Sequence, residues 1–442
     1  MYYRLREADS RFHSLGIFLV QLLTVGVALH FTIGPLVYFY REAISSLLFV
    51  ICLVNIRRFR KLSAELWLIL ILAAIVSVTL ALPTQRRLYE NVGDLTPFQS
   101  EWPRLHQLRS ATLYVPLVAY LSMRGLSRND VRSLAVTMIL SVPASLLAYV
   151  ALSEPVNFSN IALFGGGELG YLDYIPMLVF FGLASGYLFR SGPGVMRLIC
   201  AAFSACIVVW ISIVSSGRQN VLFAAVAGFV FVMTVSSHYR ARAAVCLMVL
   251  LAVTTAASIW YVGAFGASAK LIDRYGSFEK FADANASDGI GKNSRYALFL
   301  DGLLTLEPGD LAFGVGPEAC EGPGPHCDYV RQIQRRGLVA AVIAYASFAL
   351  ALARTLARRQ GFTLSPEDAW IALMLVFPLF YAMFGFPQED ACKAFASFLG
   401  LGIALGVRKS RQAQKFLPPM PCAATRGKTC SLPEACDRSA HW

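Results

Sequence analysis

Charge is scarce in this chain. Asp, Glu, Lys and Arg make up 15% of its 442 residues while apolar types reach 56%, and mean hydropathy is +0.56. That balance lies far outside soluble globular usage and excludes a water-soluble enzyme or binding domain. Metal-site spacing is missing too. Ten cysteines and six histidines form no CxxC and no HxxxH, so neither a metal nor another cofactor is expected. The glycines of GVGPE (314–318) are followed by no Lys-Ser or Lys-Thr, which sets a nucleotide loop aside. No internal repeat or low-complexity tract appears, and the first apolar run (15–34) lacks a small-residue cleavage site, so it reads as a first span.

What is present is a series of apolar runs, each long enough to cross a hydrocarbon core about 30 Å thick. About twelve are expected, centred near Val25, Leu47, Ala73, Val118, Ser141, Phe180, Ser204, Ala227, Leu250, Tyr345, Val376 and Phe398. Two are weak: the second opens with Arg41 and Glu42, and the fourth (111–123) is short. The basic residues supply a check, because Lys and Arg near span ends stay on the cytoplasmic side. With the N-terminus inside, alternation puts 24 of 39 Lys and Arg and 8 of 27 Asp and Glu on that side, leaving it net +16 and the outside net −4. The expected fold is therefore an all-α polytopic membrane protein with both termini cytoplasmic. It comprises a single membrane domain (1–442), one long outer loop (263–336) and a basic cytoplasmic tail (408–442). The overall +12 then reports topology and attraction to anionic membrane lipids, and nucleic acid is not an expected partner.

The long loop carries apolar residues at helical spacing over 268–284 and 294–308, which predicts amphipathic helices lying at the membrane surface. Within it, Pro323, Gly324 and Pro325 fix the approach of His326, a histidine suited to act as a base rather than as a metal ligand. A second candidate is VSSGRQN (214–220), where Ser215 or Ser216 can cap a helix that opens with Arg218. Helix N–H groups beside a guanidinium suit a phosphate. A third set is Arg295, Arg331, Arg335 and Arg336, basic residues on a face that is otherwise acidic. Arg331 and Arg335 share a helix face, and the set either binds an anion or pairs with nearby carboxylates.

In that order, SSGRQN, SRYALFLDGLLTLEPGDLAFGVGPE, GPHCDYV and RRGLVAAVI resemble the motifs of the bacterial O-antigen ligase and O-antigen polymerase family. The similarity is sharp over 214–343 and only topological elsewhere. Cys327 stands where the family usually has Asn, and Arg335 where an acidic residue is common. The resemblance implies an inverting, metal-free glycosyltransferase of the bacterial inner membrane, with a periplasmic active site. It would move a glycan from an undecaprenyl-diphosphate carrier to an acceptor hydroxyl on lipid A-core or on a second lipid-linked glycan. His326 would be the catalytic base, Arg218 and Arg295 would bind diphosphate, and Arg331, Arg335 and Arg336 would contact acceptor or anion. A transporter or flippase of the same lipid-linked glycan is the alternative. Transporters commonly contain inverted repeats and broken helices, and neither is evident in the sequence. Cys320 and Cys327 form either a disulfide that steadies His326 or leave Cys327 as a free thiol.

Overall fold

The computed structural model describes residues 2–29, 36–55, 62–81, 108, 112–152, 174–191, 194–214, 218–235, 237–264, 302–316, 327–357, 364–383 and 391–415. Among these residues all regular structure is helical. In chain order the helices are α1 (Tyr2–Ala28), α2 (Leu36–Val54), α3 (Ala64–Ala81), α4 (Val115–Arg124), α5 (Arg128–Leu152), α6 (Tyr174–Ser191) and α7 (Val195–Val214). They continue with α8 (Arg218–Met233), α9 (Ser237–Ala264), α10 (Pro308–Phe313), α11 (Asp328–Leu356), α12 (Pro366–Tyr381) and α13 (Ala391–Lys415). Every one of the twelve expected centres falls inside a helix, and the short α10 is additional.

By length and composition, α3, the Tyr239–Ala257 stretch of α9, and α11 are long and apolar enough to cross a membrane. Shorter apolar helices cover Ser14–Ala28, Ile175–Phe189, Ile199–Trp210 and Gln219–Met233. Large apolar side chains such as Phe18, Phe49, Trp67, Phe229 and Trp260 face outward, as a lipid-facing surface requires. Between helices, polar side chains act as glue: Gln21 Nε2 donates to Ser133 Oγ at 2.6 Å, and Ser145 Oγ donates to the Ala28 carbonyl at 2.7 Å.

The short fourth run is a ten-residue helix at the centre of the bundle. Tyr114, Leu117, Val118, Tyr120 and Leu121 are fully buried there, chiefly against α13. Pro116 opens α4, and the chain leaves it through Leu126, whose N–H donates to the Gly406 carbonyl of α13 at 3.1 Å. At its first end Leu113 accepts a hydrogen bond from Ser45 of α2, and at the other Met123 borders Ser63 and Arg408.

The largest departure from a row of straight rods is α11. Gly337 has φ 82° and ψ 170°, a conformation closed to most L side chains, and it breaks the helix into an arm (328–336) and a body (338–356). A continuous helix would separate residues 328 and 345 by about 25 Å. Instead Tyr345 Oη donates to Asp328 Oδ2, and the Tyr329 and Tyr345 rings lie 4.5 Å apart. The arm is therefore folded back along the body.

Candidate functional site

Both ends of the arm are held by backbone. At its start, Cys327 is the extended N-cap residue, and the Asp328 N–H donates to the Ala382 carbonyl just past the last turn of α12, at 2.7 Å. At its finish, the break at Gly337 leaves carbonyls without helical donors. The turn after α10 supplies those donors: Val315 N–H reaches the Gln334 carbonyl at 2.7 Å and Gly316 N–H the Arg335 carbonyl at 3.3 Å. This explains the glycines of the GVG turn. A Cβ on Gly314 would lie 2.3 Å from the Arg336 nitrogen, and one on Gly337 would lie 2.1 Å from the Ala312 oxygen. Gln334 Nε2 adds a bond to the Gly302 carbonyl at 2.8 Å, tying the preceding loop segment to the same joint.

Inside the joint runs a buried polar ladder. Asp328 is fully buried and accepts from Gln332 Nε2 at 3.2 Å on one oxygen and from Tyr345 on the other. Gln332 in turn accepts from the Arg336 guanidinium. Positions 328, 332 and 336 are four apart, so one face of the arm carries the whole ladder. Asp328 also sits in the first turn, where the helix dipole favours a carboxylate.

The start of α8 meets the same place. Asn220, in its first turn and 1% exposed, accepts a hydrogen bond from Tyr381 Oη at 2.7 Å. Tyr381 is the last residue of α12, and its neighbour Ala382 is the residue that holds Asp328. Two consecutive residues of one helix end thus join the SSGRQN helix start to the chain that follows GPH.

The expected site residues fall as follows. Arg218 is the first residue of α8, which places its backbone in the same turn as Asn220. The position of its side chain, like His326, Arg295 and Cys320, lies outside what is described. Arg331, Arg335 and Arg336 all lie on the arm. Arg335 and Arg336 are buried and Arg331 is half-buried. Cys327 is 8% exposed, and because Cys320 lies outside the described residues the choice between disulfide and free thiol stays open. The N–H of the neighbouring Asp328 bonds the end of α12. Of the two expected surface helices, 268–284 lies outside the described residues. The second is described only at its end, which is helical over 302–304 and closes with a turn in which Leu306 N–H meets the Leu303 carbonyl.

Sequence reasoning missed Asp328, Gln332, Tyr345, Tyr381 and the buried Lys393 in the first turn of α13. A carboxylate two residues from the candidate base was a signal. The rest become visible only when the arm folds back. Among the described residues no cluster of three His, Cys, Asp or Glu is placed to hold a metal. Compared with protein-family models the chain matches none, and no curated protein matches it. What the fold defines is a class: an all-helical protein with helices suited to a membrane and a re-entrant basic arm at one end of the bundle.

Proposed function

We propose that the chain is an inverting glycosyltransferase of the O-antigen ligase and polymerase type. In this reading about twelve helices span the bacterial inner membrane, both termini are cytoplasmic, and the loop over 263–336 is periplasmic. One observation carries the reading: the helix start that bears Arg218 and the chain directly after His326 are fastened to adjacent residues, Tyr381 and Ala382.

That arrangement suits transfer from a lipid diphosphate. The acceptor hydroxyl oxygen attacks the sugar carbon, the bond from that carbon to the diphosphate oxygen breaks, and the diphosphate leaves with the electron pair. His326 takes the hydroxyl proton. Negative charge grows on the departing diphosphate, so cations fixed beforehand stabilise the transition state. Arg218 at a helix start is cast in that role with Arg295, while Arg331, Arg335 and Arg336 make the arm strongly basic toward acceptor or carrier. The donor is an undecaprenyl-diphosphate-linked glycan, and the acceptor is lipid A-core or a second lipid-linked glycan.

The transporter reading gains one specific observation. The sequence shows no broken helix, yet α11 is broken at Gly337, and half-helices whose N-termini point at anions are a transporter device as well. One experiment separates the two. Purified protein in detergent, given lipid-linked glycan and acceptor, should yield transferred glycan. A transporter has no second compartment there and would return the substrate unchanged.

A further inference from the structure

We propose that Asp328 is a positioning residue: it latches the re-entrant arm to the body of α11 and thereby fixes the two residues that precede it, Cys327 and His326. The catalytic half of this statement rests on the glycosyltransferase reading; the latch itself does not.

Three observations support the latch. Asp328 is fully buried, and every other charged residue of the arm is an arginine, so its carboxylate sits in a cationic segment where its hydrogen bonds are shielded from water. Both of its carboxylate oxygens are engaged, one by Gln332 on the arm and one by Tyr345 on the body, so it spans the fold-back rather than capping one segment. Its own N–H is committed to Ala382, which adds α12 as a third anchor. A single residue thus joins arm, body and α12 immediately after Cys327. Gln332 passes the connection on to Arg336, at the edge of the break. A residue two positions away from such an anchor has few directions open to it. That restriction is what a general base needs, because a misplacement of about 1 Å can cost on the order of 100-fold in rate.

The ladder gives the arm a two-part closure, with opposite consequences if it is cut. Removing the backbone caps from the GVG turn would free the arm at its Gly337 end. Removing the Asp328–Tyr345 bond would free it at the end that carries His326. Only the second should expose Cys327, which is buried at that end and serves as a built-in reporter.

The test uses full-length protein in detergent or nanodiscs, with Tyr345→Phe and Asp328→Asn, each of which keeps shape and deletes only hydrogen-bonding or charge. Maleimide labelling, mapped by mass spectrometry, follows Cys327 with Cys52, 3% exposed and elsewhere in the bundle, as the fold control. Both variants should label Cys327 at least about tenfold faster than the parent with Cys52 unchanged, since local opening alone exposes it. Transfer kinetics should show a fall in kcat with donor KM nearly constant, and the double variant should be no worse than Asp328→Asn alone. Unchanged Cys327 labelling in Asp328→Asn would overturn the latch. Faster labelling with unchanged kcat would overturn the positioning role while leaving the latch standing. Should the parent show no transferase activity, the functional reading fails and labelling still decides the latch.

Discussion

The two ends of α11 carry the same kind of side chain and use it differently. In its last turn, Arg354 Nη1 meets Glu65 Oε1 at 2.7 Å, and Arg408 of α13 joins the same carboxylate, with Nη2 to Oε2 at 2.9 Å. Nearby, Arg411 pairs with Asp368 at 2.7 Å and Glu367 at 3.0 Å. Burial works against the charge of Arg411, but the two carboxylates outweigh it and hold its pKa above the ordinary value. Three arginines there face three carboxylates. In the arm, three arginines share a nine-residue segment with one carboxylate, and that segment is held by backbone caps and a glycine break. Charge at the first end closes four helix termini together. At the second end backbone hydrogen bonds and the Asp328–Gln332–Arg336 ladder share the fastening, and the segment keeps a net positive charge. In the proposed transferase reading, a net positive segment suits an anionic carrier.

Six substitutions test this contrast, from the largest expected effect to the smallest. His326→Ala and Arg218→Ala should each lower glycan transfer by about 1,000-fold or more, strongly non-additively, with normal insertion and yield. Arg218→Lys should fail almost as badly, because a point ammonium cannot reproduce a guanidinium fork. Full activity in Arg218→Lys, read as product formed per enzyme, would reduce Arg218 to an interfacial anchor. Gly337→Ala should dismantle the joint, since its Cβ would collide with the Ala312 carbonyl and φ 82° adds about 1–2 kcal/mol of strain. Loss of both thermal stability and transfer is expected, and a stable, active Gly337→Ala protein would contradict the fold-back.

Glu65→Gln strips the balanced end of its central carboxylate. Leaving Arg408 and the partly exposed Arg354 without it should cost roughly 3 kcal/mol of stability, while, if the transferase reading holds, the KM for donor stays as it was. A shifted KM with unchanged melting would reverse the roles assigned to the two ends. Smallest of all, Tyr381→Phe deletes one interhelical hydrogen bond, for about 0.6–1 kcal/mol. Its melting temperature should move by a few degrees or less. Its kcat should fall more than so small a loss of stability explains, because the bond tethers the start of α8.

The balance of legible and hidden structure follows from the range of the interactions. Helix positions depend on local apolar runs, and all twelve centres could be read from the sequence, including the short helix through Val118. The pairing of Arg331 with Arg335 was also legible, since it needs only helical spacing. The fold-back was not: RRGLVAAVI reads as a glycine at the mouth of a span, and nothing local says that the preceding nine residues turn inward. Tyr345 therefore looked like a span residue and Asp328 like a loop acid. Asn220 and Tyr381 are 161 residues apart, and their bond depends on how α8 and α12 pack. The signal that could have pointed to the joint was the glycine pattern itself, since GVG and Gly337 each demand a close backbone neighbour.

The central claim is that Arg218, at the start of α8, and His326 come together in one site. It is tested most directly by thiol crosslinking of an Arg218→Cys, His326→Cys protein in an otherwise cysteine-free background. Glu367→Cys with Arg411→Cys serves as the positive control, because those partly exposed side chains are paired at 3.0 Å. A short bifunctional maleimide should join 218 to 326 as readily as it joins the control pair. A crosslinked control beside an uncrosslinked 218–326 pair would contradict the account.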